Sequence, residues 1–485
     1  MKVLFISPEV GPIVRAGGLG DVVGALPLAL KQMGIDVRIL CPLHRECKNI
    51  KGIELSPPIQ LKFSSKSYSL KIKEVKLGDS EIPVYLLENK FLFDRPGIYS
   101  DKNGNYPDNP LRCFILSKSA LHLENVTGWS PDIFHCHDWM TGPLPAYLNE
   151  LNKSKKGKKT AQAKSVLTIH NLEHQGSFPE EVFSISGLPQ SFYGLDGFNH
   201  YGAMNLLKGS IQHAHKITTV SPTYAEEIRT PEYGESLESA LQYRGADLIG
   251  ILNGIDENNW DPKTDSSLKH KINSENPGKG KKINKISLLK EMGLPNIDNV
   301  PLFGVVSRLY HQKGLDLLAQ SLPELLTKNN FQLVLLGNGD PAQENSFREL
   351  ASKFPMKISV HIGFDDGLAR RIFAGSDFFI MPSRFEPCGL AQQYAMKYGS
   401  IPVARKTGGL ADTIIDVDTQ KDRANGFLFE EISSDAINEV IHRAIKLFQK
   451  PELFDKIRHN GMNSTFSWDI AAKKYGEVYE WALNS

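Results

Sequence analysis

The sequence predicts a doubly wound α/β protein built as two halves. Three observations carry that prediction. Short apolar runs rich in Val, Ile and Phe recur along the chain without strict alternation, as expected of parallel strands buried on both faces. Amphipathic stretches of helical period separate them. A polar break interrupts the series and a second series then begins.

The first series has runs at 3–6, 37–40, 84–87, 133–136, 166–169, 217–220 and 249–252. Between its first two runs, after Asp21, apolar residues fall at Val22, Ala25, Leu26, Ala29, Leu30 and Met33, one helix stripe. Residues 261–285 are rich in Lys, Asn, Ser, Pro and Gly, so the boundary between halves is placed near 253–260. The second series has runs at 302–306, 333–336, 378–381 and 401–404.

A chain of 485 residues is long enough for several domains and more than one core. With 56 basic and 55 acidic residues, the formal charge of +1 excludes a strongly basic nucleic-acid binder and an acidic disordered chain. Five scattered Cys without a C-x-x-C pair exclude a disulfide framework and a zinc ribbon. No apolar run approaches a membrane span, and the run at 3–6 is too short for a signal-peptide core, so a cytoplasmic protein is expected. Two Lys-rich segments, 152–164 with six Lys and 263–285 with seven, lack interleaved aromatics and are expected to be solvated loops.

Four segments carry chemistry. Arg15-Ala-Gly-Gly-Leu-Gly-Asp21 follows the first strand and opens a helix. Glycines let a ligand approach the backbone and a helix N-terminus offers free N–H groups, although a bare tight turn fits the same residues. His135-Cys-His137-Asp138 ends a strand, with His170 and His174 four apart further on. Their spacing is ligand-like, but no H-E-x-x-H is present and the segment after Ile169 is loop-like, so core packing or substrate binding accounts for them better than a metal. Polar residues at the carboxyl ends of parallel strands are where ligands bind in this architecture. Arg308 and Lys313, five apart after the run at 302–306, suit a diphosphate. Glu386, delivered before Cys388-Gly389-Leu390-Ala391, suits sugar hydroxyls beside N–H groups for phosphate. Asp416-Val-Asp418 has a D-x-D spacing but lies off any strand end, so no metal role is assigned to it. The turns at 17–21 and 408–412 look alike but are too short to establish duplication.

Taken in order, these segments resemble the bacterial glycogen synthase and plant starch synthase family, retaining glucosyltransferases of the GT-B fold that use ADP-glucose. The resemblance runs from the glycine turn through His135–Trp139, Thr168–Asn171, Thr219–Tyr224, Gly250–Asp256 and Arg308–Gly314. It continues through Ile362–Phe364, Pro382–Leu390 and Thr407–Asp412 to Phe466–Trp468. It implies two Rossmann-like domains facing a cleft. The first, 1–255, would lie on the acceptor side and the second, 256–469, on the nucleotide-sugar side, with a helix over 470–485 crossing back to the first. By match, Arg308, Lys313, Glu386, Asp138 and His170 would be catalytic. Arg15, Gly18, Asp21, Asn171, Asn253, Phe364, Cys388, Gly389, Leu390, Thr407 and Gly408 would bind substrate, with Phe364 against the adenine. Neither a cofactor nor a metal is implied. The partners would be ADP-glucose and an α-1,4-glucan, without nucleic acid or membrane.

Two residues depart from the family pattern: Arg15 stands for the usual Lys, and Ala391 for a frequent Thr. These motivate one alternative, a non-catalytic glucan-binding paralogue. A UDP-sugar transferase of the same fold and a pyridoxal-phosphate-dependent glucan phosphorylase are others. The expected reaction proceeds with retention on one face of the sugar, the leaving diphosphate taking the acceptor proton. Cations and helix N-termini would stabilise the charge that develops.

Overall fold

A computed structural model describes residues 1–153 and 159–485, so residues 154–158 of the first Lys-rich segment lie outside the description. The chain forms two compact units, Met1–Asn253 with Trp468–Ser485, and Gly254–Ser467.

The first unit is built on a nine-stranded sheet. From edge to edge it runs Leu248–Gly250, Lys216–Thr219, Lys164–Ile169, Ile133–His137, Lys2–Ile6, Asp36–Pro42, Pro83–Glu88, Lys66–Lys76 and Ile53–Phe63. The strands over the predicted apolar runs pair in parallel. The last two strands form an antiparallel hairpin that the sequence reading missed. Their residues alternate between buried and exposed, so they offer no continuous apolar run. The first helix, Gly18–Gln32, starts three residues ahead of the expected Asp21 and buries Val22, Leu26, Ala29 and Leu30. Met33 lies beyond its end and is exposed, because the stripe stops with the helix. The terminal helix Trp468–Leu483 buries Trp468, Ala471, Ala472, Tyr475, Val478, Tyr479 and Ala482 in the same core as Val3 and Leu26. That spacing is a single helical stripe.

The second unit is a six-stranded parallel sheet. Its order is Ile358–Ile362, Gln332–Gly337, Leu302–Val306, Phe378–Met381, Ile401–Arg405, Phe427–Phe429. Numbered along the chain, that is 3-2-1-4-5-6, the Rossmann order. Strand order therefore reverses between Leu302–Val306 and Phe378–Met381. In the first unit it reverses between Lys2–Ile6 and Ile133–His137. A crevice opens at the carboxyl ends of such a pair, because the connections leave in opposite directions. The look-alike turns at 17–21 and 408–412 follow the first strand of one unit and the fifth of the other. They are not equivalent positions.

The segment 263–285 is only in part the solvated loop its composition suggested: 263–276 is irregular and mostly exposed, but the rest is not. Residues Pro277–Glu291 form a helix, and Lys281 on it is 3% exposed. Its ammonium donates to the carbonyls of Phe373, Ser376 and Tyr398 and to Ser400 Oγ, at 2.6–3.3 Å. Those carbonyls lie at the C-terminal ends of helices Asp366–Gly375 and Ala391–Lys397. Such carbonyls have no intrahelical partner and carry the negative end of the helix dipole. Four residues on, Lys285 pairs with buried Asp377 at 2.6 Å. The lysines are thus cross-links of the second unit. Lys281→Met should remove the shared cap and destabilise the protein by about 2–4 kcal/mol. Denaturant unfolding checks this, and a surface control, Lys282→Met, should leave the midpoint unchanged.

Candidate active site

In the second unit a cavity of about 200 Å³ lies at the strand-order reversal, at the carboxyl ends of Leu302–Val306 and Phe378–Met381. Its wall includes Arg308, Lys313, Ser383, Glu386, Gly389 and Leu390. Five of these six are residues that sequence reasoning singled out. Lys313 Nζ lies 2.6 Å from Glu386 Oε2, and Ser383 Oγ donates to the same oxygen at 3.0 Å. Both charged side chains are largely buried. Arg308 is exposed, its guanidinium over the Tyr310 ring. The cavity therefore holds a compensated ion pair within and a solvated cation at its edge. A phosphate can take both cations, and hydroxyls can take the carboxylate.

Cys388 is buried in the loop that carries Glu386. Thr407 and Gly408 are buried behind that loop. A Cβ at Gly408, whose φ is +43°, would meet Glu386 O at 2.0 Å, and Gly409 N–H donates to the same carbonyl. The glycines there let the Glu386 loop sit directly on helix Gly408–Thr413. Phe364 follows the edge strand Ile358–Ile362, is 80% exposed and is not part of the cavity wall. Asp416 and Asp418 both pair with Arg443, which explains their spacing structurally.

In the first unit, Glu9 organises the glycine turn. One of its oxygens accepts from the N–H groups of Ala16 and Gly17, and the other from the Tyr99 hydroxyl. A Cβ at Gly20 would meet Arg15 Cβ at 2.7 Å, so glycine is required by that close approach, whereas a Cβ at Gly17 or Gly18 would stand in open space. Residues 15–18 are exposed, and Arg15 forms an ion pair with Asp21 at 2.9 Å. Glu9 and Ser383 were not anticipated. Their only trace in the sequence is proximity to the glycine turn and to Glu386, and a buried Glu cannot be told from an exposed one by sequence alone.

Across the strand-order reversal stands Asp138, with φ 54° and ψ −169°. A non-glycine residue there costs about 1–3 kcal/mol, and such strain collects at functional sites. Asp138 Oδ1 accepts from the His170 N–H at 2.7 Å, and its own N–H donates to Thr168 O. An edge of Asp138 reaches solvent, yet its dense surroundings push its pKa up to about 7, opposed by the His170 N–H and supplemented by the charge of Glu9. His170 Nε2 lies 3.0 Å from His137 Nδ1. Burial lowers the His170 pKa to about 3, so the ring is neutral at working pH. His135 is buried between Thr168 Oγ1 and the hydroxyl of Tyr479 on the terminal helix. Asn171 Oδ1 accepts from Glu173 N–H, and Asn253 is buried at the end of the unit.

Comparison with known proteins bears on the family and the fold. A profile of the starch synthase catalytic domain matches residues 2–243, and one of group 1 glycosyl transferases matches 292–461. Fold and profiles together define a glycosyltransferase of the GT-B class. Glycogen synthase of Geotalea daltonii is 43% identical, covering 100% of this chain and 99% of its own. Glycogen synthase 2 of Geobacter sulfurreducens is 40% identical over the same shares. The solved catalytic domain of starch synthase IV from Arabidopsis thaliana, bound to ADP and acarbose, superposes with a TM-score of 0.89 at 34% identity. It covers 100% of this chain and 99% of its own. The chain belongs to the glycogen synthase and starch synthase family. Among the described residues no helix is long and apolar enough to cross a membrane.

The Asp138 pKa makes a signed prediction. A carboxyl raised from 3.8 to about 7 on folding stabilises fully below about pH 4, and that contribution is lost as pH rises towards 7. The stability of the parent relative to Asp138→Asn should therefore fall between pH 4 and 7 and level off above. Thermal melts across that range check this; a flat difference would refute it.

Proposed function

We propose that the protein transfers glucose from ADP-glucose to the non-reducing end of an α-1,4-glucan with retention of configuration. The observation that carries this reading is the cavity at the strand-order reversal of the second unit, with Arg308, Lys313 and Glu386 in its wall. Lys313 and Arg308 take the diphosphate. Glu386, freed from Lys313, accepts hydrogen bonds from the glucose hydroxyls, and the Gly389–Leu390 backbone adjoins the phosphate. Phe364, with an exposed ring, stacks on adenine. Asp138, His170, Asn171 and Asn253 serve the sugar. Gly18 and Asp21 form the ligand-facing turn with Arg15, whose planar fork replaces a lysine charge. Thr407 and Gly408 act by supporting the Glu386 loop.

Retaining hydrolases use two carboxylates close together, one of them a nucleophile. Glu9, a carboxylate that acts electrostatically on Asp138, is committed to two backbone N–H groups and Tyr99. Asp138 Oδ1 is likewise already engaged, accepting from the His170 N–H at 2.7 Å. This supports reaction on one face. The diphosphate oxygen that leaves takes the acceptor proton, and the cations stabilise the charge left on it.

Three measurements test the reading. In a donor panel with glycogen as acceptor, ADP-glucose should exceed UDP-glucose in kcat/KM, because Phe364 offers a purine more contact area. Equal rates would remove the adenine argument. Lys313→Ala should lower kcat on the order of 10²–10³; a raised KM at parental kcat would confine Lys313 to ground-state binding. Arg15→Lys should keep substantial activity and Arg15→Ala lose most of it. An Ala variant as fast as the parent would make Arg15 a surface residue only.

A further inference from the structure

His137 closes the strand Ile133–His137, is fully buried, and has no part in the roles assigned above. Its ring packs against His135, at 4.3 Å between centroids, and against Phe5 at 5.2 Å. Its Nδ1 meets His170 Nε2 at 3.0 Å. Its Nε2 is buried and has no hydrogen-bond partner among the described residues. Two neutral imidazoles joined this way share one proton, and only two arrangements exist. If His170 donates, His137 must carry its own proton on Nε2 and bury an N–H with no acceptor. If His137 donates from Nδ1, the buried Nε2 is a bare lone pair. Orphaned buried N–H groups are rarer than under-satisfied acceptors, so the second arrangement wins.

We infer that His137 is a positioning residue that fixes the tautomer of His170, leaving His170 with its proton on Nδ1 as an obligate hydrogen-bond donor to an oxygen of the ligand. His170 is partly open to solvent, and Nδ1 is the ring nitrogen that His137 leaves unused. The ring is neutral and its second nitrogen is occupied, so it does not act as a base. Its ligand atom is an acceptor oxygen, a sugar hydroxyl or a phosphate oxygen. That class rests on the reading of the protein as a glucosyltransferase; the tautomer does not.

The experiment has two arms. In protein labelled with ¹⁵N-histidine, with the His170 signals assigned by loss in His170→Asn, the parent should show His170 protonated on Nδ1. Finding the proton on Nε2 overturns the proposal, with or without substrate. In the second arm, turnover of ADP-glucose with glycogen is compared for two variants. His137→Leu should lower kcat on the order of 10–100-fold through misplacement of His170. His137→Asn, whose amide N–H₂ can replace the Nδ1 donor, should recover most of it. A Leu variant as active as the parent, or an Asn variant as impaired as Leu, contradicts the positioning role. A parent that does not turn over ADP-glucose defeats the functional reading alone, because the first arm needs no substrate.

Discussion

The short bond between Lys313 and Glu386 is the interaction on which the second unit's site depends. A carboxylate and an ammonium are held largely out of water, each the other's main compensation. Removing either leaves an uncompensated charge, which is costly in such surroundings. A ligand separates them at least cost when it supplies both an anion for the lysine and hydroxyls for the carboxylate. A nucleotide sugar carries both within one molecule. Free phosphate or free glucose carries one. Such a pair would favour a whole nucleotide sugar over its parts, and the Ser383 hydroxyl holds the carboxylate in place.

Sheet topology explains why the chemistry lies where it does. Each unit reverses its strand order once, and each reversal brings two loops together at the carboxyl ends of neighbouring strands. In the second unit these loops deliver Arg308 with Lys313, and Ser383 with Glu386. In the first they deliver the glycine turn with Glu9, and Asp138 with its strained backbone. Supports outside the sites fix the geometry: Gly408 beneath the Glu386 loop, Tyr479 behind His135, and Lys281 capping two helices.

Much of this was legible in the sequence, and the exceptions have physical causes. The parallel strands were visible because burial on both faces demands continuous apolar runs. The hairpin Ile53–Phe63 and Lys66–Lys76 was not, because one face meets water and its pattern is diluted. That Arg308, Lys313 and Glu386 share one cavity wall was legible because each follows an apolar run, and loops at the carboxyl ends of neighbouring parallel strands meet. Glu9 was not, since nothing in a lone Glu announces that two backbone N–H groups will converge on it. The lysines of 263–285 misled most. Composition reports charge, whereas Lys281 is buried by carbonyls that come together only once two helices have ended side by side.

The most direct test of the account is calorimetric titration of ADP into the parent protein, Lys313→Met, and the double variant Lys313→Met with Glu386→Gln. If the ion pair opens to give its lysine to the diphosphate, Lys313→Met should weaken ADP binding on the order of tenfold to a hundredfold. Neutralising Glu386 as well should recover part of that loss by removing the stranded negative charge. Equal affinity of all three proteins for ADP would contradict the account, because the diphosphate would then be held without the lysine at the centre of the cavity.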